Sequence, residues 1–571
     1  MKKKLRLISI FLFVLLAAAS LFAGCDSGRA VEEGKVPLDI YMQQGNQYSG
    51  VTEPNRVWLK IEEDTGVQTS FEGPTAEYHA QPLVGTMMDI ARGRSEVDII
   101  WMQPEQTGTG YSDWVKEGLF YNMDTLLAMN PGEYPYIEML FQTDLYKSLS
   151  WEGAHTMVPW LTTNNIYGIY YRGDWLAKIG YYEKDEQGNP VLDEKGRLIP
   201  VAPKTISEFA DVMQKFSDPS YNLNPGTKTY GMSPHQEPFA MNLLYHAFGV
   251  VEDFSLDENG NVVYSYMQDE YKTFLKWMNS MYKAGWIEPQ FNTNSGVKDR
   301  DLFKKGTVGI LITDVEQHVK WVLSEMPEAV YESSEVSQTI VMGAPLLGDG
   351  TNGSVEGLQG SSTRGSWWGG FSIAKTCEEP EAAMRYLNYL ISPEGSKVNR
   401  YGVEGIHYTE DENGRIITND EERGKRGDRC FSESTGKDGV RAYNGCYLIG
   451  FNQQGGVMDW SKFETEKRVI VSNDPAVLDY QFQDLIEDAA ELNVPYYDAL
   501  PETLIFDSAT TLLVDKIKAR AQEFYLPAVI QYSEADIDAR WNEMIAACSD
   551  LGWAAAQQGI LASAREFGYV Q

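Results

Sequence analysis

Two short stretches carry side chains suited to holding a ligand by stacking and hydrogen bonding. One is Gln43-Gln44-Gly45-Asn46; the other runs from Trp101 through Gln103 to Glu105. An indole offers an apolar face, amides both donate and accept, and a carboxylate accepts from hydroxyls. Such a set fits a molecule with C–H faces and a ring of hydroxyls, as a sugar has. Signatures of bond-making chemistry are missing: there is no Gly-x-Ser-x-Gly elbow, no His-Glu-x-x-His and no Walker loop. The six histidines are scattered, with no paired helical spacing for a metal. His235 and Glu237 lie two apart in a proline-flanked loop and read as polar lining, since nothing nearby completes a metal site. No cofactor is implied. With 82 Asp and Glu residues, a hydrolytic carboxylate pair stays open as the alternative chemistry.

Four acidic runs invite a calcium reading. Gln187-Gly188-Asn189 and Asp193-Glu194-Lys195-Gly196 are two of them, and Asp257-Glu258-Asn259-Gly260 and Asp411-Glu412-Asn413-Gly414 the others. In each the glycine comes fourth, counted from an aspartate, too early for a calcium loop. A polar residue before glycine between short apolar runs predicts hairpin turns instead.

The elements that must position these groups follow from periodicity. Strands are expected at 38–42, 67–71, 97–101, 167–171, 308–313 and 371–374. Helices are expected at 54–64, 80–92, 269–284, 380–391, 477–492, 507–524 and 533–566. Thr205-Ile206-Ser207-Glu208 has the form of a capping box opening a helix to Phe216. The stripe Phe274, Trp277, Met278, Met281 and Tyr282 is core at helical spacing. Asp174 and Trp175 read as a helix cap and as packing. Alternating strands and helices predict a mainly parallel sheet, which binds ligands at the carboxyl ends of its strands. Both ligand-type stretches fall there.

The first residues describe export. Lys2, Lys3, Lys4 and Arg6 precede an apolar run that ends in Leu21-Phe22-Ala23-Gly24-Cys25. Basic residues, a short apolar segment and small residues form a signal peptide, here residues 1–24. The run resembles the bacterial lipoprotein box, although leucine stands four rather than three residues before the cysteine. That resemblance implies diacylglycerol on Cys25 and an extracytoplasmic protein anchored to the outer face of the cell membrane. Residues 25–37 then form the tether.

Losing the four positive charges of residues 1–24 takes the formal net charge from −34 to −38. Nucleic-acid binding and docking on anionic lipid both need clustered Lys and Arg, so both are excluded. The hydrophobic fraction of 43% is that of a globular chain. The length of 571 residues exceeds what one core organises, so two or more lobes are expected. Cys430 and Cys446 flank a Gly- and charge-rich loop where a local disulfide fits, while Cys377 and Cys548, both in helical patterns, are read equally as a disulfide or as two unpaired buried thiols.

Several segments, in order, resemble the extracellular solute-binding proteins that feed carbohydrate to ABC importers, a maltose-binding-like family. They are Asp98-Ile99-Ile100-Trp101 with Glu117-Gly118-Leu119, and Ile169-Tyr170-Tyr171-Arg172-Gly173-Asp174-Trp175-Leu176 with Pro203-Lys204-Thr205. Gly306-Thr307-Val308-Gly309-Ile310 and Trp367-Trp368-Gly369-Gly370-Phe371-Ser372-Ile373 continue the series. Tyr401-Gly402-Val403-Glu404-Gly405-Ile406-His407-Tyr408 is similar to the LplA-type subgroup. The resemblance covers roughly residues 38–408. It implies an α/β, periplasmic-binding-protein type II fold of two lobes joined by a hinge of crossing strands, with extra C-terminal helices. The implied lobes are 38–163 with 306–346, and 164–305 with 366–571. It also implies further ligand contacts: Trp160 and Asn165 before the crossing strand, Glu237 and Phe239 in a Glu-Pro-aromatic segment, and Asp314, Trp367 and Trp368 at strands that return to the cleft. The implied protein is a monomer and not an enzyme, with a carbohydrate ligand and ABC permease subunits as partners. A surface glycoside hydrolase is the rival reading.

Overall fold

The computed structural model describes residues 30–42, 56–72, 84–102, 111–142, 150–151, 154–234, 241–251, 253–293, 298–314, 333–360, 363–410, 416–419, 500, 504, 506–566 and 568–570. The chain opens with β1 (Val36–Met42), α1 (Arg56–Thr65), β2 (Val67–Glu72), α2 (Val84–Ala91) and β3 (Ile99–Met102). β1 pairs in parallel with both β2 and β3, as expected for strands separated by helices. Three short helices follow: α3 (Tyr111–Lys116), α4 (Met123–Met129) and α5 (Pro135–Phe141). The hairpin of β4 (Ser150–Trp151) and β5 (Ala154–His155) then leads into the long β6 (Val158–Arg172).

After β6 come α6 (Gly173–Lys178), α7 (Ile206–Ser217), β7 (Tyr230–Met232), α8 (Asn242–Tyr245), β8 (Phe254–Leu256) and β9 (Val262–Tyr264). The amphipathic α9 (Asp269–Lys283) buries Phe274, Trp277, Met278 and Met281, as its spacing predicts. α10 (Lys298–Lys304), β10 (Val308–Asp314) and β11 (Ile340–Gly343) precede the second long strand, β12 (Thr363–Ile373). α11 (Pro380–Leu390), α12 (Pro393–Tyr401) and the ribbon of β13 (Tyr408–Glu410) and β14 (Ile416–Thr418) follow. Four helices end the chain: α13 (Ser508–Gln522), α14 (Tyr525–Ile530), α15 (Glu534–Asp550) and α16 (Trp553–Glu566).

One eight-stranded sheet runs β2-β1-β3-β12-β6-β10-β7, with β11 also on β6. It serves two separate hydrophobic cores. One gathers residues between Leu38 and Val158 with Phe371 to Val398. The other gathers Ile169 to Leu346 with Leu500 to Ala564. The fold class is as expected, but the lobe boundaries differ from the expected ones. Ile310 and Val341 pack in the second core rather than the first, and Phe371, Tyr386 and Leu387 in the first rather than the second. The reason is directional: β6 carries the chain into the second lobe, and β12 carries it back.

The chain then returns to the second lobe. Leu500 donates its N–H to the Phe254 carbonyl at 2.7 Å, and Gln557 donates to the Val262 carbonyl at 2.6 Å. Asn279, buried on α9, donates to the carbonyls of Ala528, Val529 and Tyr532 at 2.9, 3.0 and 3.1 Å. The terminal helices are therefore part of the second core. The helix expected over 533–566 breaks at Gly552, whose φ of +106° an L side chain resists.

Smaller expectations resolve as follows. Thr205 accepts from the Glu208 N–H, but the Glu208 carboxylate takes the Lys204 N–H, shifting the reciprocal bond one residue back. Asp174 does not cap its helix. It forms a two-point pair with Arg172 at 2.8 and 2.6 Å, and Arg172 lies over the buried Trp175 ring. Cys377 and Cys548 are buried free thiols, Cys377 in the turn before α11 rather than in a helix. Cys430, Cys446, residues 477–492 and the leader with Cys25 lie outside the described residues.

Replacing Asn279 by Ala would leave three carbonyls without their shared donor. The expected loss is about 1–3 kcal/mol of stability, read as a lower urea midpoint at unchanged slope.

Candidate functional site

The two long strands form the site's frame. β6 and β12 run antiparallel, with Phe371 opposite Val158 and Gly370 opposite Pro159 at one end. Arg364 stands opposite Asn165, and Thr363 opposite Ile166, at the other. Between these ends the register slips: Trp367 faces Leu161 and Ser366 faces Thr162. One extra residue is thus accommodated on β12 between Trp367 and Gly370, and one on β6 between Thr162 and Asn165. Two bulges cancel, so the register is the same at both ends.

Glycine makes the first bulge feasible. Gly369 holds φ at +130°, and a Cβ on Gly370 would lie 2.5 Å from the Val158 carbonyl oxygen. Bulges bend and twist a ribbon locally. This pair does so where it leaves one core and enters the other. Beyond the bulges, β12 pairs with β3 of the first lobe, and β6 with β10 and β11 of the second.

Most of the predicted residues with described backbone fall on this crossing. Trp160 lies between Pro159 and Leu161, opposite the β12 bulge that holds Trp368. Asn165 pairs with Arg364, and Trp367 with Leu161. Asp314 ends β10 opposite Tyr167 of β6. Strict alternation would put Trp367 and Trp368 on opposite faces, but the bulge at this point removes that constraint. Gln43, Gln44, Asn46, Gln103, Glu105, His235, Glu237 and Phe239 lie outside the described residues. The strands leading to the first five of these are adjacent and parallel, with Met42 opposite Trp101. Both therefore end at the same edge of the sheet.

Trp101 is placed differently from the rest. Its side chain is fully buried, at 0% exposure, within the first core.

Sequence reasoning missed the hydroxyl cluster at the root of the crossing. Tyr111, the first residue of α3, shares a 2.6 Å hydrogen bond with Ser372 of β12 and one of 3.1 Å with Thr156. Burial raises the Tyr111 pKa far above its usual value, so it stays a neutral hydroxyl. A second anchor sits just before β6, where the His155 N–H and ring nitrogen meet Asp124 at 2.9 and 2.8 Å. Burial works against the Asp124 charge, but the bonds from His155 outweigh it and lower its pKa. Phe141 stacks on the His155 ring, 4.2 Å between centroids. No motif marks either cluster, because the partners are far apart in sequence.

Three of the acidic runs are hairpin turns. Asp185 accepts from the N–H groups of Gln187 and Asn189, Asp193 from Lys195 and Arg197, and Asp257 from Asn259 and Asn261. The second carboxylate oxygen of each is taken by Asn189, Arg197 or Asn261. The run at 411–414 lies outside the described residues. Among the described residues, no three His, Cys, Asp or Glu side chains gather as a metal site would need. No helix among them is long and apolar enough to cross a membrane.

The chain belongs to the bacterial extracellular solute-binding protein family, whose profile matches residues 60–401. Lipoprotein LipO of Bacillus subtilis is 23% identical over 310 residues, 52% of this chain and 54% of that protein. The polygalacturonan/rhamnogalacturonan-binding protein YtcQ of Bacillus subtilis is 21% identical over 255 residues, 43% of this chain and 44% of that protein. The chain thus spans about half the length of the curated relatives it matches. A solved ABC-transporter-associated solute-binding protein from Bifidobacterium longum infantis, described as HMO-binding, superposes with a TM-score of 0.64 at 15% identity. That match covers 93% of this chain and 99% of the other, and shows a shared fold.

Replacing Trp101 by Ala should cost about 3–5 kcal/mol of stability, the loss for a large aromatic in a closed core. Guanidinium unfolding reads this directly; an unchanged midpoint would remove Trp101 from the core.

Proposed function

We propose that this family member captures a saccharide, an oligosaccharide rather than a single sugar, in a cleft between its two lobes and delivers it to the permease of an ABC importer. The observation that carries the reading is the crossing pair of β6 and β12. It joins two separately cored lobes and bears Trp160, Asn165, Trp367 and Trp368, with Asp314 on the neighbouring strand. Aromatic residues supply stacking faces, and the amide and carboxylate supply hydrogen bonds to hydroxyls. Gln43, Gln44, Asn46, Gln103, Glu105, Glu237 and Phe239 complete the proposed lining, and Trp101 supports the loop that carries Gln103 and Glu105. The polysaccharides in the name of YtcQ favour an oligosaccharide over a single sugar.

In this reading the lobes are apart when empty and close about the sugar, bending at the bulged crossing. A ligand shifts that equilibrium only by its differential affinity for the closed state. Side chains from both lobes and from the crossing provide it. Closure gives the permease a single surface to recognise. Diacylglycerol on Cys25 holds the protein, as a monomer, at the outer face of the membrane, and the acidic chain stays soluble beside it. The hydrolase alternative lacks a supporting observation, and the family consists of binding proteins rather than enzymes.

A thermal-shift screen of mono- and oligosaccharides, with product analysis of each hit, tests the reading. A stabilising oligosaccharide recovered intact is expected; cleavage would turn the assignment to a hydrolase. Trp367→Ala or Trp368→Ala should then weaken binding of that sugar roughly tenfold or more, as calorimetry would show, for a loss of about 1.5–3 kcal/mol. Equal affinity in both variants would move the site off the crossing. Cys25→Ser should abolish lipid labelling and release the protein into the medium.

A further inference from the structure

The lobes meet at a second place, away from the crossing strands. α13 belongs to the second core through Val514, Ile517 and Ala521. α3 belongs to the first through Tyr111 and Trp114. These two helices nevertheless pack against each other. The contact joins the N-terminal end of α13 to a helix of the opposite lobe. At that end Asp507 caps α13, accepting the Thr510 N–H at 2.7 Å. At the end of α3 stands Lys116, with Asp507 in its electrostatic reach.

We propose that the C-terminal helices form a clasp: α13 holds α3, with Lys116 attracting Asp507, and thereby limits how far the two lobes separate. The inference rests on the lobe closure described above, and gives the C-terminal helices a role in it. The geometry makes α3 the coupling piece. Its first residue, Tyr111, is bonded to Ser372 of the crossing strand β12. Its last, Lys116, lies by the α13 cap about 7–8 Å further on, at 1.5 Å per residue. α3 therefore links the hinge root to the clasp. Opening the lobes must draw α13 from α3, and the attraction of opposite charges resists it.

The pair is solvent-exposed, so the attraction weakens with salt. The test is small-angle X-ray scattering of the purified full chain without ligand, at low salt and at about 1 M salt, where the screening length is about 3 Å. Lys116→Glu sets two acids against each other. Its radius of gyration should exceed that of the wild type at low salt and approach it at high salt, with an unchanged melting temperature. Adding Asp507→Asn, which keeps a capping side chain, should reverse the expansion. Lys116→Glu with the wild-type radius at low salt, or an expansion that Asp507→Asn does not relieve, would overturn the clasp. Because no sugar is present, this result stands apart from that of the ligand screen.

Discussion

The structure depends on one backbone arrangement, the antiparallel pairing of β6 with β12. Each strand spends its ends in different lobes, so the pair is both a shared sheet seam and the route by which the chain changes lobe. Hydrogen bonding fixes which residues oppose one another, and two cancelling bulges let the ribbon bend without losing register at either end. The Gly369-Gly370 step permits this: the first glycine supplies a backbone conformation that side chains resist, and the second lets β12 approach the Val158 carbonyl. Rigidity at the ends and adaptability between them suit a joint that must return to the same geometry after each movement.

Much of the first lobe was legible in sequence. β1, β2 and β3 lie within about two residues of their expected positions, because alternating or continuous apolar runs between helices leave little choice. The crossing was less legible, and for a physical reason. β6 was expected only over 167–171, yet it starts at Val158. Residues 161–165, Leu-Thr-Thr-Asn-Asn, lack an apolar alternation since they span between cores rather than line one. β12 was expected over 371–374 but begins at Thr363, where Gly365, Gly369 and Gly370 read as breakers. Segments that serve as a hinge lose the pattern by which strands are recognised.

Lobe membership failed for a different reason. Chain order shows that segments return, but not which core receives them. Only pairing settles this: β10 lies against β6 beyond the bulges, whereas β12 ends against β3. The proposed site was drawn from residue types legible at strand ends. Its anchors, Tyr111 with Ser372 and Asp124 with His155, were not, since hydrogen bonds between distant residues leave no periodic trace.

In the proposed closure, the anchors let the crossing bend without becoming loose. A hydroxyl buried beside a strand must keep its partner, since losing it leaves a desolvated polar group at a cost of about 1–3 kcal/mol. Tyr111 therefore holds α3 to Ser372 as β12 enters the first lobe, and bending is confined to the stretch between that point and the second core. The bulges lie in that stretch. A joint bounded on one side by a buried hydrogen bond and on the other by the β10 and β11 pairings has few ways to move. That restriction favours one closing motion over many, so ligand contacts made by both lobes can act together on a single equilibrium.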